Sequence, residues 1–303
     1  MTAAIALAYL DDAVVAAARL RGTADSDALH DFRVAIRRLR VTVRSYPELR
    51  DNVSKKQRRG LRKLARATNR ARDAEVQIAW FNDHASRLTT AQRAAVSRVR
   101  ARLRARRRTE SARIRARLDS SFAELEHKLR RRLVALRDEP AAGRRAPFTV
   151  LVAATVTRLA AELDSRLKTI ARGVPSSART MHAARIAAKR LRYALEPVED
   201  QVLGGAALIT RLKQLQDRFG VLTDAHELDE VLRADLAAGA AVKDVLEAET
   251  AESLADLQTH LRENAEFHGD VVAAVQPLRP ARSAPLLRNL PARRRRPPLR
   301  APA

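Results

Sequence analysis

Leu29-His30-Asp31-Phe32-Arg33-Val34-Ala35-Ile36-Arg37-Arg38-Leu39-Arg40 returns 152 residues later as Met181-His182-Ala183-Ala184-Arg185-Ile186-Ala187-Ala188-Lys189-Arg190-Leu191-Arg192. Histidine and the basic residues keep their places. At about 100° per residue, Arg33, Arg37, Arg40 and Arg44 fall within an arc of about 80° beside His30, while Leu29, Phe32, Ile36, Leu39 and Val43 fill the neighbouring arc. Each copy therefore reads as an amphipathic helix with one buried face and one cationic row. In the second copy His182, Arg185, Lys189 and Arg192 repeat the row, and Glu196 stands where the first has Arg44. Leu61, Leu64 and Asp73 are echoed by Leu212, Leu215 and Asp224 with the same internal spacing, so the repeat extends past one helix.

Outward from this repeat, the chain reads as helical nearly throughout. The periodicity predicts helices over about 2–21, 27–46, 54–68, 73–87, 90–138, 148–171, 178–196, 206–218, 224–236 and 240–264. Breaks are expected at Gly22, Pro47, Pro140 to Pro147, Gly173 to Pro175, Pro197, Gly204 with Gly205, and Gly220. Asp73 and Asp224 are each expected to cap the next helix, with Asp224-Ala-His-Glu227 in the form of a capping box. The expected fold class is all-α: two pseudo-symmetric four-helix bundles, one from about 1–140 and one from about 147–275. A basic tail begins at residue 276. Residues 277–303 hold 7 of the 12 prolines and 8 arginines with no acid, a composition expected to stay disordered.

Composition narrows the function. The 303 residues carry 59 Lys and Arg against 35 Asp and Glu, a net charge of +24, which calls for an anionic partner. With no cysteine, disulfides, thiolate metal sites and thiol nucleophiles are excluded. The 9 glycines leave little for phosphate-cradling loops. No apolar run approaches a membrane span, and Met1 to Leu20 is interrupted by Asp11 and Asp12, so cytoplasmic residence is the default reading. The seven histidines include no H-x-x-x-H pair, and no metal or cofactor is expected. Glu124-Leu-Glu-His-Lys128 matches an ExExK motif, but that chemistry requires alternate residues of a β-strand, and these five lie in a helical pattern.

The row from His30 to Arg44 spans roughly 21 Å of helix, far longer than one phosphate needs. Like charges at this spacing repel by a few tenths of a kcal/mol per pair, and few acids stand near to relieve them. A linear polyanion fits both the length and the charge. Nonspecific DNA or RNA binding is the alternative, since counterion release drives association with either polymer. Only 3% of residues are aromatic, and the basic row lacks the stacking platforms of a single-strand binder. No carboxylate cluster on the repeated helices would hold Mg²⁺ for a phosphohydrolase. Between Arg93 and Arg117, 11 arginines accompany the single acid Glu110, either extending the basic surface or forming a solvated arm.

At His30 to Arg40 and Ala71-Arg72-Asp73-Ala74-Glu75-Val76, then at His182 to Tyr193, Leu215-Gln-Asp-Arg-Phe-Gly220 and Asp224-Ala225, the sequence resembles the CHAD family, helical domains named for their histidines. The resemblance runs from about residue 2 to 270. It implies a pseudo-twofold pair of four-helix bundles whose basic central surface binds inorganic polyphosphate, often at polyphosphate granules, without catalysis. Carried over residue by residue, it implies polyphosphate contact for His30, Arg33, Arg37, Arg40, His182, Arg185, Lys189 and Arg192. Arg62 and Lys213, at matching positions on the next helix of each half, join them. One departure is that Leu64 is followed by Ala65-Arg66-Ala67-Thr68-Asn69 without the family's glycine.

Overall fold

The structure is a computed structural model describing residues 1–22, 26–139, 147–171 and 177–278. Those residues are all-α, with no strand among them. The chain runs α1 (Thr2–Arg21), α2 (Ser26–Ser45), α3 (Pro47–Asn52), α4 (Lys55–Asp83), α5 (Thr90–Ala95), α6 (Ser97–Arg117) and α7 (Ala123–Asp138). It continues through α8 (Phe148–Ala171), α9 (Ala178–Leu195), α10 (Gly205–Leu232), α11 (Leu236–Glu263) and α12 (Phe267–Val275). The expected junction between halves at 140–146 and nearly all of the expected tail lie outside the described residues.

Helix starts obey local chemistry. Ser54 with Gln57 and Thr89 with Gln92 form reciprocal capping boxes, satisfying donors that α4 and α5 would otherwise leave unpaired. Ser177 caps α9, and Asp235 caps α11. Gly204 takes the left-handed conformation (φ 65°) that opens α10.

Several expectations fail. The predicted gap at 69–72 does not exist, because α4 runs unbroken from 55 to 83. Gly220 does not break α10; a Cβ there would lie 3.2 Å from an Arg185 guanidinium nitrogen, so the glycine makes room for that side chain. Asp73 and Asp224 consequently sit inside long helices and cap nothing. The expected helix over 90–138 is divided into α5, α6 and α7, the last two joined by a π-helical turn at Leu118–Phe122. Such a turn inserts an extra residue and re-aims the helix beyond it: α6 packs on α4, whereas α7 packs chiefly on α1.

Before residue 140, α1 packs on α2 and α7, α2 on α4, and α4 on α6; after 147, α8 packs on α9 and α12, α9 on α10, and α10 on α11. The alanines of α1 at 3, 6, 13, 16 and 17 are buried and let it lie close against its neighbours. Across the sequence halves α2 meets α9, α4 meets α10 and α5 meets α11. The apolar core ignores the halves. One large cluster runs from Phe32 and Leu39 to Leu191 and Phe219, all fully buried. A second joins Ile78, Phe81 and Val99 of the first half to Leu228, Leu232 and Val242 of the second. A fully buried Leu or Phe stabilises by roughly 1.5–3 kcal/mol, so the residues shared across the halves hold α2 and α9 in fixed relation.

Candidate functional site

α2 and α9 bury Phe32, Ile36, Leu39, Ala184, Ala188 and Leu191, which turns the basic rows outward from the core. His30 and Arg44 are exposed; Arg33, Arg37 and Arg40 are half-buried. Arg33 Nη1 donates to the Thr68 carbonyl at 2.5 Å and to Asn69 Oδ1 at 3.2 Å, which ties the row to the middle of α4. Burial, then Arg37, lowers its pKa to about 10. Burial, then Arg37, Arg62, Arg44 and Arg66, lowers that of Arg40, so Arg62 and Arg66 of α4 stand with α2 in one cationic field.

In the second row His182 is exposed and Arg185, Lys189 and Arg192 are half-buried. Lys189 is the most perturbed cation: burial first, then Arg185 and Arg37, push its amine down to about 6. Arg37 acts on it across the α2–α9 contact, which sets the middles of the two rows near each other. His30 and His182 both fall below the usual histidine value through burial and then neighbouring arginines, Arg72 for His30 and Arg185 for His182. Both rings therefore favour the neutral form more than a free histidine does.

Among the described residues, the ion pairs on the two rows fall on the second. Arg185 Nη1 is 3.5 Å from Asp224 Oδ1, and Arg192 Nε is 3.5 Å from Glu196 Oε1. Arg192 also lies over the Tyr193 ring at 4.9 Å, which makes it the most occupied of the predicted residues. Among the described residues no ion pair engages His30, Arg33, Arg37, Arg40, Arg44 or Arg62. Lys213 is exposed on α10, and no described interaction joins it to the rows.

The acids that the sequence suggests as helix caps stand instead within the field of the cations. Asp73 and Asp224 are half-buried and raised by burial, with Arg33 opposing for Asp73 and Arg185 for Asp224. Glu227, one turn beyond Asp224, is raised to about 7 by burial, Asp73 and Asp224. The matching place of Asp73 and Asp224 in the repeat is visible in the sequence; that Asp224 pairs with Arg185 and Asp73 lies in the field of Arg33 required knowing that α4 and α10 are continuous. Among the described residues no three His, Asp or Glu side chains are grouped so as to hold a metal ion. Glu124 and Lys128 of the ExExK match lie on α7, a helix.

Arg38 serves another purpose. Its Nε donates to Glu196 Oε2 at 2.7 Å, and its guanidinium lies 5.8 Å from the Tyr9 ring and 5.9 Å from that of Tyr193. It thereby fastens α1 and α2 to the end of α9. No helix among the described residues is long and apolar enough to cross a membrane.

Comparison with curated proteins gives no match. Among solved structures, the CHAD domain from the plant Ricinus communis is similar, with a TM-score of 0.63 at 22% identity over 94% of this chain and 92% of that one. The model of the CHAD domain matches residues 4–233. With both repeated helices and their acidic partners inside that match, the chain belongs to the CHAD domain family.

Proposed function

We propose that the protein binds inorganic polyphosphate along the two basic rows and has no catalytic activity of its own. The observation that carries this reading is the row itself: six cations or histidines over roughly 21 Å, counting Arg62 of α4, with no ion pair among the described residues. Guanidinium groups offer paired donors to phosphate oxygens. The amine of Lys189, held near 6 by burial and cations, supports the same reading, because nearby phosphates favour its charged form. The family's association with polyphosphate gives the ligand its name, and through such binding the protein would be drawn to polyphosphate granules in the cytoplasm.

Nonspecific nucleic-acid binding is the competing reading. The test is titration of labelled long-chain polyphosphate into the parent protein and the Arg37→Glu/Lys189→Glu variant, with duplex DNA as competitor at fixed salt. The double variant should lose affinity by about a hundredfold, from two charge-assisted contacts at about 1.5 kcal/mol each, while keeping its helical circular dichroism. Unchanged affinity, or displacement by DNA at equal charge, would count against the assignment.

A further inference from the structure

A deep concavity among the described residues lies outside the repeated rows. It is a groove of about 1590 Å³ between α4 and the α6–π–α7 segment. Along its α4 wall stand Lys56, Arg59, Lys63, Arg66 and Arg70, all exposed. Their spacing of three and four residues holds them within an arc of about 80° and a length of roughly 21 Å, matching the row on α2. Arg113 and Arg117 of α6 and Lys128, Arg131 and Arg132 of α7 face them. Two acids line the groove and each is already engaged, Glu110 by Arg113 at 2.7 Å and Glu124 by Lys128. The α4 row, Arg117 and Arg131 make no ion pair among the described residues.

Gly60, Ala67 and Ser121 are among the residues lining the groove, and Gly60 lets Leu125 of α7 come close to α4, since a Cβ there would lie 3.0 Å from the tip of Leu125. At the position 151 residues on, Gly60 becomes Arg211, whose guanidinium stacks 4.8 Å from the Phe267 ring and binds Asp270 at 2.6 Å and Asn264 at 2.9 Å. Only about 20 Å³ remains open beside it. The α4 cations likewise become Ala207, Thr210, Gln214, Asp217 and Val221. The groove is thus a property of the first half alone, whereas the central rows are duplicated.

We infer that this groove is a second track for a polyphosphate strand, continuous with the central rows. The inference rests on the polyphosphate reading above. Arg66 is the junction: it lines the groove and is also one of the cations that lower the pKa of Arg40. A strand longer than the central rows passes over this shoulder of α4 and lies between two cationic walls. None of the residues lining the groove is aromatic, so it offers nothing on which bases could stack.

The test uses the full chain with a short oligophosphate no longer than one row and with long-chain polyphosphate. Two variants are compared with the parent: Arg59→Glu/Lys63→Glu/Arg70→Glu, which reverses exposed charges, and Ala67→Leu, which adds apolar bulk to the groove lining without changing charge and keeps a good helix former. Both should retain short-oligomer affinity and lose about tenfold or more for the long polymer, the avidity of a second tethered site. For the triple variant, the salt slope for the long polymer should be shallower by roughly two, at about 0.7 per lost contact. Parental long-polymer binding by both variants would overturn the track. So would loss in the triple variant alone, which would mean diffuse charge, or loss of DNA or acidic-peptide binding with polyphosphate binding intact. Failure of the parent to bind either phosphate ligand would instead remove the underlying reading and this inference with it.

Discussion

Lys189 is where charge and burial conflict most. With its amine held to about 6 against an ordinary 10.5, the free protein carries it largely neutral at physiological pH. The fold then binds fewer protons than the unfolded chain between those values, so this group makes stability rise with pH from about 6 to 10.5 and levels off below 6. A bound polyanion reverses the preference and raises the amine again, so binding takes up a proton. Calorimetry at pH 8.5 in buffers of different ionisation enthalpy should show that uptake, since the histidines and Glu227 are by then deprotonated in the free protein. Lys189→Arg should bind without the uptake, and Lys189→Met should lose both uptake and affinity while gaining about 1 kcal/mol of stability. Equal uptake in all three proteins would show that the proton goes elsewhere.

The continuity of α10 explains why Gly220 and Asp224 do not end one helix and begin another. A glycine four residues before an aspartate looks like a helix end followed by a cap, and Gly220 with Asp224 fits that pattern. Within a continuous α10, residues 220 and 224 are one turn apart on the same face, and both meet Arg185. The glycine admits the guanidinium and the aspartate faces it. Gly220→Leu should therefore keep or improve helicity, yet weaken polyphosphate binding by about tenfold through displacement of one charge-assisted contact. Circular dichroism and a binding titration on the same sample separate the two effects. Loss of helicity would show that Gly220 matters to the helix itself.

Across the whole molecule, the relation of the two rows depends on how the halves are joined. Arg38 and Glu196 link them at 2.7 Å, with Glu196 only 9% exposed at its side chain. Glu196→Gln leaves Arg38 and Arg192 without their anion and should destabilise the protein by roughly 2 kcal/mol, below the 3–5 kcal/mol typical of a fully buried pair because Arg38 keeps some solvent. Urea denaturation of Glu196→Gln, Arg38→Met and the Arg38→Met/Glu196→Leu pair checks this, with the pair losing less than the sum of the singles although Arg192 still lacks its anion. Additive losses in the pair would mean that the contact is not the source.

The helical class, the repeat and the basic rows were legible from residues 29–44 and 181–192, because periodicity and charge spacing along one helix are local properties of the chain. The family resemblance rested on the same local motifs. Contact between elements lay beyond the sequence: α4 and α10 running through their expected breaks, Asp224 paired with Arg185 while Asp73 stands in the field of Arg33, and Arg38 spanning the halves. The groove belongs to that group too. Its α4 row has a spacing that the chain displays openly, but its opposite wall is brought up by a π-helical turn 50 residues away, and Gly60 gains its meaning only from Leu125 lying against it. Local sequence sets which face of a helix carries charge; which other face it confronts is decided by packing among residues far apart in the chain.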